Sequence, residues 1–238
     1  MAQNKNIVLV MGRPNTGKSS SLRNLPQNRM VYLNTDLKEL PFADKFLASV
    51  EISDALDVLD YITEIEDNPS VEGGILDTLT FLMCMYERQY VVSSTNTQAA
   101  WGNYGNFYRD LIHKIKSGTK DYAILAHEDT KHNEINMTME TSVPIKGAVG
   151  KIGCEADFTT ILSTKQVSIK KLEPFENDLL HITDDEREDG VKYVFCTRIN
   201  KDHAGEKMRS AMGLWKRNEL YIDNDLNQVF KRLKEYYS

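Results

Sequence analysis

Gly12-Arg13-Pro14-Asn15-Thr16-Gly17-Lys18-Ser19 follows the apolar run Ile7-Val8-Leu9-Val10-Met11 and leads into Ser20-Ser21-Leu22-Arg23-Asn24-Leu25. The octapeptide fits the phosphate-loop pattern G-x-x-x-x-G-K-[ST] at every fixed position, and it sits between a buried-strand signal and a helix signal, the context that gives the pattern meaning. Glycine frees the backbone to aim successive N–H groups at phosphate oxygens, and a following helix adds the positive end of its dipole. The spacing therefore predicts an ATP cradle built from Gly12, Asn15, Thr16, Gly17, Lys18, Ser19 and Ser20. Lys18 is placed to reach the β- and γ-phosphates and the Ser19 hydroxyl to ligate Mg²⁺. The competing reading is a glycine-bearing turn whose lysine is a solvated surface charge.

Composition sets the bounds. A chain of 238 residues with 41% hydrophobic content buries one sizeable core. One domain over 1–238 is expected, with the phosphate-loop core at 5–130 and a strand-rich part ending in a helix at 131–238. The net charge of −6 supplies no global field for nucleic acid, so any such contact has to come from a local patch. Cys84, Cys154 and Cys196 are far apart and lack C-x-x-C spacing, which fits a reducing compartment better than a disulfide framework or a zinc site. The apolar run at 7–11 is too short for a signal peptide or a membrane span, so a cytoplasmic protein without membrane contact is expected.

Outward from the octapeptide, Arg29 to Asn34 reads as a second short strand ending at Thr35-Asp36, and 37–52 mixes turn and strand signals. Ala55, Val58, Leu59, Ile62 and Ile65 carry the spacing of an amphipathic helix over Asp54 to Glu66, closed by Asn68-Pro69. Gly73 to Thr80 reads as a strand ending in an acid. In a parallel sheet the carboxyl ends of the strands share one edge, so Asp77 is expected beside the phosphate loop, supporting Mg²⁺ through Ser19 and water. An ordinary strand-end aspartate capping the next helix is the alternative.

Phe81 to Val92 looks helical. Residues 93–106 read as a long polar loop in which Trp101 and Tyr104 either stack on bases or pin the loop to the body. A helix at 107–116 and a buried strand at 121–126 follow, with His127 on the same edge as the phosphate loop, where a polar group can contact the γ-phosphate. Glu134 to Thr141 alternates like a hairpin arm. Residues 144–153 place Lys146 and Lys151 among glycines, a flexible loop able to track a phosphate backbone or to serve as an ordinary turn. Strands are expected at 158–170, 191–197 and 220–222. The acidic cluster 184–190 reads as a solvated hairpin tip, and 224–237 as a terminal helix. The cations of 198–209, Lys207 and Arg209 first, are candidates to act on a neighbouring subunit's γ-phosphate, with plain surface charge as the alternative.

GRPNTGKSSS, the ILDTLT strand, WGNYG, the ILAHED strand end and HAGEKMR together resemble phage-encoded RecA-like ATPases, a group that includes ATP-dependent single-strand annealing proteins. The resemblance spans residues 7 to about 212. It implies an α/β RecA-like P-loop NTPase core with a mainly parallel central sheet flanked by helices, followed by a C-terminal hairpin region and a terminal helix. It also implies a homo-oligomer, ring or filament, that binds single-stranded DNA and promotes annealing or strand exchange beside phage or host single-strand-binding and replication proteins. Carried over by position, Lys18, Ser19 and Asp77 match the phosphate and Mg²⁺ contacts. Asp36 stands where the group commonly has a water-activating glutamate, one methylene longer. Lys207 and Arg209 resemble the cations that act across a subunit boundary, and 93–106 and 142–153 fall where such proteins keep DNA-binding loops. The rival expectations are a nucleotide-switched module that recruits partners without turnover, and a small-molecule kinase, although no arginine-rich lid segment is found between 120 and 160.

Overall fold

The structure is a computed structural model and describes residues 3–134 and 138–238. The run after Lys5 forms β1 (Ile7–Gly12), buried along its whole length. Its residues alternate between two layers: Ile7, Leu9 and Met11 enter one core and Val8 and Val10 the other. A strand covered on both faces reads as a continuous apolar run, which is the reason this segment shows no alternation.

Around β1 the chain builds one eight-stranded sheet from β2 (Met30–Asn34), β3 (Ala48–Glu51), β4 (Gly73–Asp77), β5 (Asp121–His127), β8 (Thr160–Ser168), β9 (Val191–Cys196) and β10 (Tyr221–Asp223), in the order β10-β9-β8-β1-β5-β4-β2-β3. Every pairing from β3 across to β8 is parallel. Only β9 runs against the rest, pairing antiparallel with both β8 and β10. The chain is thus an α/β fold with a mostly parallel central sheet, as a P-loop NTPase core requires. β5 lies between β1 and β4, so one strand separates the phosphate loop from Asp77. Register brings Gly12 opposite His127, and Asn34 opposite Asp77. The polar residues ending four strands therefore meet at one edge.

Helices α1 (Asp57–Asp67), α2 (Leu79–Tyr86) and α3 (Thr97–Ser117) contribute to the larger core. Val58, Ile62 and Ile65 form the buried stripe of α1. A separate ribbon, β6 (Asp129–Asn133) with β7 (Thr138–Ser142), rises from the carboxyl edge after β5. Of the expected hairpin arm at 134–141, residues 135–137 lie outside the described residues. Short helices α4 (Gly147–Ile152), α5 (Ile169–Leu172) and α6 (Asp184–Asp189) precede α7 (Leu226–Tyr237), whose Leu226, Val229, Phe230 and Leu233 cover the second face of the sheet. Among the described residues no helix is long and apolar enough to cross a membrane.

Several expectations are corrected. Residues 97–106 are not a loop: they are the first half of α3, capped by Asn96, whose side chain accepts from Ala99 N–H. The 144–153 segment is not free either, since 147–152 is α4, with Gly147 at φ +68° and Gly153 at φ +87° at its two ends. The acidic cluster forms α6, with a reciprocal cap between Thr183 and Glu186. The helix expected after the octapeptide is a single 3₁₀ turn, Ser19–Leu22. Pro26 explains its brevity, because a continuing helix would drive the ring against the Leu22 carbonyl.

Candidate functional site

Asn15 at φ +62° and Gly17 at φ +95° bend the octapeptide so that its backbone wraps a cleft of about 450 Å³. At Gly17 an added Cβ would stand 2.6 Å from Asn224 Nδ2, and at Gly12 it would overlap the Thr164 hydroxyl. Lys18, Ser19, Ser20, Asp36, Asp77 and His127 line this cleft together, beside Lys38, Pro41, Thr78 and Tyr193. Of the predicted site residues the structure thus unites Asn15, Gly17, Lys18, Ser19 and Ser20 of the phosphate loop with three strand-end groups, whereas the Thr16 side chain lines a separate cleft.

Lys18 is 7% exposed, and its ammonium donates to Gly12 O and Arg13 O, both at 2.9 Å. Burial lowers its pKa, with the Asp77, Glu128 and Asp36 carboxylates opposing. Among the described residues the ammonium is held by main-chain carbonyls, so incoming phosphate can replace them without a buried ion pair being broken. Ser19 Oγ donates to Asp77 Oδ2 at 2.9 Å, and Tyr32 OH donates to the same oxygen at 3.0 Å. Burial pushes the Asp77 carboxyl up, while the bonds from Ser19 and Tyr32 pull the other way. Thr35 ties β2 to β4: its hydroxyl donates to Thr78 O and accepts from Thr78 N–H, each at 2.8 Å.

Asp36 follows β2 into the cleft and pairs with Lys38 at 3.2 Å. His127 closes the opposite side, its ring edge-on to Phe81. Burial, followed by the Lys18 charge, pushes His127 down to about 4. It is a neutral imidazole at neutral pH, and its Nε2 is buried without a partner among the described residues.

The oxygen donors Ser19 Oγ and Asp77 suit Mg²⁺, which keeps several waters and takes few protein ligands besides phosphate. Among the described residues no three His, Cys, Asp or Glu side chains gather as an all-protein metal centre. That donor set fits an ion that arrives with a nucleotide.

Other predicted residues lie elsewhere. Trp101 is 36% exposed on α3, but Tyr104 is interior, so no base can stack on it. Trp101 packs edge-on to Tyr104 and lies against Gly147, bringing the two expected DNA loops together as packed helices. Lys146 pairs with Glu87 at 2.8 Å, and Lys151 is exposed on α4. Lys207 and Arg209 line a separate cleft beside Glu155 and Ile161, where Arg209 donates to Phe158 O at 3.2 Å.

Sequence reasoning missed Tyr32, Thr164, Tyr193 and Asn224. Asn224 Nδ2 donates to Gly17 O at 2.8 Å from 207 positions away, and Thr16 and Thr164 share a hydroxyl contact at 2.6 Å. Neither tie has a local signature. The residue before the Asp225 helix cap instead looks like part of the helix.

A family model described as an AAA domain matches residues 4–157, more than half of the chain. No match was found among curated proteins.

Proposed function

Since the chain belongs to the AAA-domain family of P-loop nucleotide-binding proteins, we propose that it binds ATP with Mg²⁺ in the cleft of the octapeptide and hydrolyses it by in-line attack of water on the γ-phosphate. The observation that carries this reading is the convergence of Lys18, Ser19, Asp77, Asp36 and His127 on one cleft. Lys18 leaves its two carbonyls to meet the β- and γ-phosphates. Ser19, steadied by Asp77, presents its hydroxyl to the ion, and Tyr32 steadies Asp77 in turn. When bound, Mg²⁺ offsets negative charge on the phosphates. Asp36 orients the water, and neutral His127, lining the same cleft, senses the γ-phosphate.

The finer reading is a recombination protein of phage type that works as a homo-oligomer on single-stranded DNA, with Lys207 and Arg209 acting on the neighbouring subunit's nucleotide. The likeness of the WGNYG and HAGEKMR segments supports it, as does the surface where Trp101 and Lys151 stay exposed on neighbouring helices. The test is ATP turnover with and without single-stranded DNA across a salt series. Turnover that rises with DNA, and DNA affinity that falls as salt rises, is the expected result. An unchanged rate with no DNA binding removes the recombination reading and leaves the ATP reading standing.

A second reading has its own observation. Asp36 is short and already paired with Lys38, which favours a module that holds ATP as a switch and recruits partners. ATP binding without turnover would select it.

A further inference from the structure

Behind the octapeptide lies a second cleft, of about 400 Å³. The loop turns Pro14, Asn15 and Gly17 toward the nucleotide cleft but Arg13 and Thr16 toward this one. Glu128, Thr141, Lys165 and Glu206 complete its polar wall.

The cations here are already engaged. Lys165 Nζ donates to Glu206 Oε1 at 2.6 Å, and Arg13 Nη2 donates to Thr130 Oγ1 at 2.9 Å. His203 spans Glu206 Oε1 at 2.9 Å and the Tyr221 hydroxyl at 3.0 Å. The acceptors are in surplus. Glu128 Oε2, Glu206 Oε2 and Thr141 Oγ1 are all buried with no hydrogen-bond partner among the described residues. Thr141 is itself only 7% exposed. Buried acceptors without donors are rare in folded proteins because each has lost its water without replacement.

We propose that this cleft is a binding site for an organic cation rich in N–H donors, a guanidinium or ammonium group, which pairs with Glu128 and is bonded by Glu206 Oε2 and Thr141 Oγ1. An anion would meet oxygen acceptors in place of donors. A divalent metal would find no gathered set of ligating side chains among the described residues. An N–H cation supplies the donors that Glu128 Oε2, Glu206 Oε2 and Thr141 Oγ1 are without. Burial pushes the Glu128 carboxyl up, while the Lys165, Arg13 and Lys18 charges nearby pull the other way. Met139 lines the same cleft and gives an alkyl stem an apolar flank.

The cation has two possible sources, a free small molecule or an arginine or lysine side chain of a second copy of this chain. Agmatine, a guanidinium with an ammonium tail, serves as the probe, titrated calorimetrically into the full chain without nucleotide, so that the outcome stands apart from the ATP reading. Sedimentation of the same samples follows self-association, and melting curves confirm that each variant is folded. Agmatine is expected to bind, with Glu128→Gln weakening it about tenfold or more and Thr141→Val weakening it less. Binding to a monomer identifies a free ligand. Self-association that Glu128→Gln or agmatine disperses identifies a neighbour's side chain. Either result supports the site. Agmatine affinity equal in the wild type and both variants overturns it, as does no binding together with self-association that ignores Glu128→Gln.

Discussion

The Ser19 hydroxyl donates to the Asp77 carboxylate at 2.9 Å, joining the end of the octapeptide to the end of β4 across 58 positions. Ser19→Ala removes this bond and a Mg²⁺ oxygen together while leaving the phosphate cradle in place. ATP affinity measured with Mg²⁺ should fall by about tenfold or more, and affinity measured in EDTA should barely change. Equal losses in both conditions would show that Ser19 serves the loop and not the ion.

Lys18→Ala removes the side-chain ammonium held by the Gly12 and Arg13 carbonyls in the cleft. Nucleotide binding followed by calorimetry should drop by about two orders of magnitude, and turnover should vanish. A variant that still hydrolyses ATP would move the active site elsewhere.

Tyr32→Phe deletes the second donor to Asp77 and leaves a buried carboxylate oxygen with Ser19 alone. Chemical denaturation should show a loss of about 1–2 kcal/mol. A stability equal to wild type would mean that Asp77 finds its second donor in water.

His127 carries a pH signature. Its folded pKa, about 4, lies below its ordinary value of 6.5, so between those values the unfolded chain binds the extra proton. Its contribution to stability is complete above the upper value and fades as pH falls toward the lower one. His127→Gln should flatten that limb of the stability profile relative to wild type. Parallel profiles for the two proteins across that window would contradict the assignment.

Gly17→Ala forces a Cβ into the left-handed region and against the Asn224 amide. A cost of about 1–2 kcal/mol from the backbone alone is expected in denaturation, with nucleotide affinity falling alongside it. A substitution at Gly102, where an added methyl meets nothing within 4 Å, is the matched control within a helix.

Legibility in the sequence followed the range of the forces. The run 7–11, the octapeptide, Asp77 and His127 were readable because strand burial and phosphate cradles are written in adjacent residues, and a parallel sheet gathers strand ends by geometry. The helical character of 97–106 was hidden by Gly102, Asn103, Gly105 and Asn106. Its apolar positions Ala100, Tyr104, Phe107, Tyr108 and Leu111 do follow helical spacing, and core packing outweighs the weak propensity. The short turn after Ser19 was misread in the other direction, with Pro26 the available signal. The Thr16–Thr164 contact and the unpaired oxygens of Glu128 and Thr141 arise only when distant segments meet.

The amide of Asn224 holds Gly17 O from beyond the family-matched span of 4–157. A fragment trimmed to that span would carry the full signature yet lose the tether that sets its shape, together with the Thr164 hydroxyl against Thr16. Motif and competence are therefore separable here, and an excised piece would advertise an affinity that only the longer polypeptide can deliver.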